Sequence, residues 1–140
     1  MKCLQIAASS AALALALGVP AFAATHGVTT LKPHVSSSGV LVAGKGMTLY
    51  TFDKDKSDKS TCYGRCAKTW EPALGSESAL KQSNQRLKEG GVVGLAPRKD
   101  GTMQWTYDGK PLYLYAKDKA PGDENGDGVR GMWHVAKSSP

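Results

Sequence analysis

The stretch "RKDGTMQWTYDGKPLYLYAKD", Arg98 to Asp118, decides how this chain folds. Asp100-Gly101 and Asp108-Gly109 stand between alternating apolar runs, and Asp-Gly is the dipeptide that tight type I′ hairpins prefer, because both central residues need positive φ. The stretch reads as an antiparallel meander. With Asp108-Gly109 as a two-residue loop, Trp105 lies opposite Leu112 and Met103 opposite Leu114 on one face. Tyr113 and Tyr115 then stand beside Gln104 and Thr106 on the other. The first face is assigned to the core.

Laid on itself at an offset of 63, the chain matches Gly46 with Gly109, Leu49 with Leu112, Tyr50 with Tyr113 and Phe52 with Tyr115. The same offset, without a gap, matches Lys54 with Lys117, Asp55 with Asp118 and Trp70 with Trp133. An aromatic pair and a tryptophan held in one register mark two copies of a supersecondary unit, and a pseudo-twofold packing is expected. In the first copy "GVLVAGKGMTLYTF" follows the same plan, and Tyr50 and Phe52 share a face by strand alternation. Asp55 is expected in a turn just past the strand, accepting backbone N–H groups.

The predicted fold class is mainly β: two tandem antiparallel units packed as one small domain, with short helical or loop insertions. Residues 39–140 form that domain, with repeats at about 39–74 and 92–137. Residues 75–91 join them as a linker or short helix, the helix running from Ser76 to Lys88 and ending at Gly90. Residues 24–38 are expected to be flexible.

Residues 1–23 read as an export signal. Lys2 gives the positive start, "LQIAASSAALALALGV" the apolar run and Ala21 to Ala23 ("AFA") a small-residue cleavage site. The run is shorter than the roughly 20 apolar residues a membrane span needs, and Gly18 and Pro20 close it. The mature chain is expected to lack a transmembrane span, to start near Ala24 and to be periplasmic or secreted. The net charge is +6. Its lysines are interleaved with acids, so a nucleic-acid stripe is excluded, while loose association with an anionic envelope surface stays open.

"YTFDKD" and "YLYAKD" both fit YxxxxD, more fully Yx(FWY)xxD. Together with "CYGRCAKTW", "DGTMQWTYDGKPLY" and "GDENGDGVRGMWHVA" they resemble the bacterial secreted repeats that carry the YxxxxD motif, a family described as predicted lipoproteins. The resemblance covers Gly39 to Lys137. It implies an envelope-associated repeat domain of unknown function and supplies no catalytic residues. This sequence departs from the lipoprotein label, because no cysteine stands at the cleavage point and Cys3 precedes the apolar run.

Cys62 and Cys66 are the cysteines left after cleavage, and an even pair in an exported protein normally oxidises to a disulfide. CxxxC also suits a redox pair or Cu(I), with Met47, Met132 or His134 as a third ligand. Asp123, Asn125, Asp127 and Gly128 match positions one, three, five and six of a calcium loop, so Ca²⁺ is a candidate cofactor. His134 stands where the bidentate glutamate should be; the alternative is a turn in which these side chains bond local backbone. His134 otherwise reads as a strand residue with a satisfied ring, and Trp70, Trp105 and Trp133 as core.

No catalytic constellation is visible, so a non-enzymatic binding or structural module is the expected function. A metal-binding protein and an enzyme using a carboxylate site around Asp55 and Asp118 are the alternatives.

Overall fold

A computed structural model describes residues 31–83, 85–88 and 90–139. The export signal and residues 24–30 of the segment expected to be flexible lie outside them. Within that segment, Pro33–Val35 forms strand β1 and pairs with β2, Leu41–Ala43, so the sheet begins before residue 39. β3, Met47–Thr48, completes a three-stranded antiparallel sheet.

The central sheet explains the repeat. It is built from β4 (Tyr50–Phe52), β5 (Trp70–Pro72), β10 (Tyr113–Tyr115) and β11 (Trp133–Val135), in the order β11-β4-β10-β5 and antiparallel throughout. The two tyrosine strands meet in the middle with Tyr113 opposite Tyr50. Each tryptophan strand lies against the tyrosine strand of the other repeat: Trp133 opposes Phe52, and Trp70 opposes Tyr115. The 63-residue offset maps each of these pairings onto the other, so the units are interleaved about a pseudo-twofold axis and neither owns its half of the sheet.

The third sheet contains β6 (Leu74–Gly75), β8 (Met103–Tyr107) and β7 (Val93–Pro97) in that order, with β9 (Lys110–Pro111) also paired to β8. Asp108 (φ 48°) and Gly109 (φ 76°) both take the left-handed conformation that a type I′ hairpin requires, and Thr106 pairs with Pro111 across it. At the other Asp-Gly, Gly101 has positive φ but Asp100 does not. The Gly101 N–H bonds the Arg98 carbonyl, and the Arg98 N–H bonds the Thr102 carbonyl. This is a three-residue loop closed by a glycine bulge, which corrects the expected type I′ turn.

The meander also ends sooner than expected. The Leu112 N–H still bonds the Trp105 carbonyl, but the next residues leave β8 for the central sheet, where β10 pairs with β4 and β5, so Met103 never reaches Leu114. In consequence both faces of β8 are buried: Trp105 on one side, Gln104 and Thr106 on the other. Two apolar clusters result. One gathers Tyr50, Trp70, Tyr113, Tyr115 and Trp133 with Cys62, and the other gathers Leu41, Leu49, Val93, Trp105 and Leu112.

Two short helices complete the fold, α1 (Arg65–Thr69) and α2 (Glu77–Lys81). The Ser76 hydroxyl caps α2 by accepting from the Ala79 N–H. The helix stops well short of Lys88. Ser83 turns its hydroxyl back to the Leu80 carbonyl at 2.7 Å, offering the backbone a local partner in place of another turn.

Candidate functional site

Tyr50 lies on β4 and Tyr113 on β10, side by side at the centre of the middle sheet, and both rings are buried. A buried phenol needs a hydrogen-bond partner. Each finds it in the opposite repeat: the Tyr50 hydroxyl donates to Asp118 Oδ2 and the Tyr113 hydroxyl to Asp55 Oδ2, both at 2.6 Å. The aspartates stand just past strands β10 and β4, so the motif tyrosine of one copy is bonded to the motif aspartate of the other.

The second oxygen of each carboxylate organises its own loop. Asp55 Oδ1 accepts the Thr61 N–H (2.7 Å) and hydroxyl (2.8 Å), and Asp118 Oδ1 accepts the Asn125 N–H and side-chain amide, both at 3.1 Å. Every motif oxygen is engaged. Burial first, and the hydrogen bond to a carboxylate second, push the pKa of both tyrosines well above its ordinary value, so the phenols stay protonated donors.

The aromatic rings between these clasps form one stack. Phe52 lies on Trp133 (4.1 Å between centroids), Trp133 on Trp70 (3.8 Å, planes 2° apart) and Trp70 on Tyr115 (4.2 Å). Tyr50 and Tyr113 meet Trp70 and Trp133 edge-on at 5.4 and 5.1 Å. The T-shaped contacts suit the ring quadrupoles, and the stacked faces bury large apolar area. Packed into a core, the tryptophan faces are closed to a ligand.

One clasp carries an addition that spacing did not reveal. Because Tyr113 gives its proton to Asp55, Ser60 must donate to the Tyr113 oxygen, leaving its own lone pairs for the Cys62 N–H (3.2 Å) and Arg98 Nη1 (3.0 Å). Arg98 is itself buried; it also donates to Gln104 Oε1 (2.7 Å) and the Cys62 carbonyl (2.9 Å), and its guanidinium lies 4.3 Å from the centre of the Tyr63 ring. A donor chain thus runs from guanidinium to carboxylate, Arg98 to Ser60 to Tyr113 to Asp55. At the offset of 63 the counterparts of Ser60, Arg98 and Gln104 are Asp123, Val35 and Leu41, so this network has no copy in the second repeat and the repeat pattern could not announce it.

Cys62 and Cys66 are within disulfide-bonding distance, with their Cα atoms 5.2 Å apart. Cys62 is buried against the aromatic cluster and Cys66 packs at its edge.

The calcium-loop residues diverge. Asp123 Oδ2 accepts the Lys119 and Ala120 N–H groups, Asn125 turns to Asp118, and Asp127 Oδ1 accepts the Val135 N–H at 3.0 Å. The two backbone bonds hold the Asp123 carboxyl below the usual carboxylate range. Among the described residues no three His, Cys, Asp or Glu side chains are placed to hold a metal ion together. His134 Nε2 lies 2.8 Å from Asp53 Oδ2 on the outer face of the central sheet, away from the cysteines' cluster.

A groove of about 310 Å³ beside β4 and the Asp108-Gly109 turn is lined by Asp53, Asp55, Lys56, Asp108 and Lys110 among others, but not by Asp118. The two motif aspartates therefore do not form the paired carboxylates of one concave site. No helix among the described residues is long and apolar enough to cross a membrane.

No curated protein and no solved structure matches the chain. A family model described as a secreted repeat of unknown function matches twice, over residues 35–74 and 94–137, and the two matches bracket the two tyrosine strands, the two aspartates and the two tryptophans. With more than half of its length accounted for by those two matches, the chain belongs to that family of secreted repeats.

Proposed function

We propose that this secreted repeat protein is a non-enzymatic structural or binding module of the bacterial periplasm or envelope, released after cleavage near Ala23. The supporting observation is that the motif Tyr50, Tyr113, Asp55 and Asp118 are consumed in reciprocal bonds between the repeats, which leaves no free acid, base or nucleophile among them. The motif is a brace. Its mild positive charge favours loose association with an anionic envelope surface. Cell fractionation with N-terminal sequencing tests the setting: periplasmic protein starting near Ala24 is expected, and an intact cytoplasmic chain would sink the reading.

The Cys62–Cys66 pair acts in this reading as a staple for the first loop. Closing so short a loop stabilises by about 2 kcal/mol in the chain-entropy model. Reduction should lower the stability measured by denaturant unfolding by about that amount while the near-ultraviolet circular dichroism of the stacked tryptophans persists. Two free thiols in protein taken from the periplasm would contradict the staple. The divergence of Asp123, Asn125 and Asp127 weighs against a calcium role, and an unchanged melting temperature with Ca²⁺ is the expected outcome.

A further inference from the structure

The clefts of this molecule differ in charge. The groove beside β4 contains Asp53, Asp55 and Asp108, its neighbour shares Asp53 and Asp108, and a third cleft contains Glu124. A fourth, of about 250 Å³, has no acidic residue among the described residues of its lining; Lys32, His34, Arg86 and Lys88 supply its polar side chains. All four are exposed, and none is in an ion pair among the described residues. Pro33, Val35 and Leu87 supply the apolar part of the lining, with Val35 and Leu87 packed against the second core.

The fold brings these residues together from two distant segments. Lys32 and His34 flank and enter β1. Arg86 to Lys88 belong to a turn fixed by main-chain bonds, with Arg86 bridged to Val92, the Leu87 N–H on the Gly91 carbonyl and the Gly90 N–H on the Leu87 carbonyl. The cations are thus held on one face by backbone structure. At 0.15 M salt the screening length is about 8 Å, so the charges that line a cleft dominate what it attracts.

We propose that this cleft is a docking face for the surface of an anionic phospholipid membrane. Basic side chains beside apolar ones match a surface with negative headgroups over an acyl boundary. Among the described residues the cleft has no aromatic side chain on which a nucleic-acid base would stack, and its cations are exposed, as contact with an extended surface requires. The proposal rests on the envelope reading for its setting, while the binding is measurable wherever the protein resides.

The test is sedimentation of the protein beginning at Ala24, as released by cleavage, with vesicles of phosphatidylglycerol and phosphatidylcholine, against vesicles of phosphatidylcholine alone. The triple variant Lys32→Gln, Arg86→Gln, Lys88→Gln is compared with Lys45→Gln, Lys68→Gln, Lys117→Gln, which removes equal charge elsewhere. Circular dichroism and melting confirm that each is folded. Each basic group at such a surface is worth roughly fivefold, so the cleft variant should lose about a hundredfold in affinity for anionic vesicles and the control less than tenfold. Equal losses in the two variants, or equal binding to both kinds of vesicle, would overturn the proposal. Displacement by millimolar glycerol phosphate would overturn it in favour of a small soluble phosphate. Periplasmic protein that ignores anionic vesicles defeats only the docking face, and vesicle binding by a cytoplasmic protein defeats only the envelope setting.

Discussion

A tyrosine and an aspartate five residues apart on a strand and its following turn cannot bond each other easily, because an odd spacing sends them to opposite sides of an extended chain. The fold solves this by exchange. Removing the Tyr50 hydroxyl leaves Asp118, which is only 6% exposed, short of a charge-assisted bond. Tyr50→Phe should therefore cost about 2–3 kcal/mol in urea unfolding. Tyr113→Phe should cost nearer 1–2 kcal/mol, since Asp55 is more open to water that can replace the phenol. The same bonds set a pH limit. Because both tyrosines have folded-state pKa values raised above the ordinary value of 10.0, their contribution is intact below pH 10 and is lost as the pH rises through the raised values. Stability measured from pH 8 to 12 should fall from about 10 upward, and more shallowly in the Tyr50→Phe, Tyr113→Phe double variant; identical profiles would contradict the clasp. The motif residues were legible in the chain as a repeated pattern. Their partners were not, because spacing reports local contacts and these bonds join residues 68 and 58 positions apart.

At the scale of elements, the loops between aspartate and tryptophan differ in a way the repeat itself exposes. The first loop has Tyr63 where the second has Gly126, and that glycine lies directly under the aromatic cluster: a Cβ there would come within 2.8 Å of the Trp70 ring and 2.9 Å of the Tyr50 ring. Gly126→Ala should cost about 1–3 kcal/mol by overpacking rings that have no room to shift. Gly101→Ala is the comparison, since its φ of 84° is strained for alanine but its Cβ would meet nothing within 4 Å. About 1 kcal/mol is expected there. Thermal melting followed at the tryptophan near-ultraviolet bands separates them: Gly126→Ala should alter the native spectrum and Gly101→Ala should not. Asp108-Gly109 was readable as a hairpin because its requirement is local, two consecutive positive φ values. The departure of β10 from its hairpin partner was not, since no residue near Leu112 signals that the next strand pairs better with Tyr50 and Trp70 than with β8.

The whole molecule follows from that exchange of strands. An ordinary tandem repeat stacks units that each own a sheet, whereas here β4 has its two neighbours, β10 and β11, from the second repeat. The offset of 63 exposed two copies and their symmetry, but side-by-side and interleaved arrangements share one sequence pattern, so only the strand order distinguishes them. It also distinguishes how the halves behave when separated. A fragment of residues 31–91 retains the disulfide pair, both cysteines being inside it, yet loses both partners of its tyrosine strand and half of the four-ring stack. A fragment of residues 92–139 loses β4 and β5 in the same way. Neither should show cooperative unfolding alone, because a lone short strand has no sheet in which to bury its aromatic face. Mixed in equal amounts they should recover the near-ultraviolet spectrum and a single melting transition whose midpoint rises with concentration, as bimolecular folding requires. If the first fragment melts cooperatively by itself, each repeat owns its core and the interleaved reading fails. Recovery only in the mixture identifies the Tyr–Asp clasps and the Trp70–Trp133 stack as the seam that makes two repeats one domain.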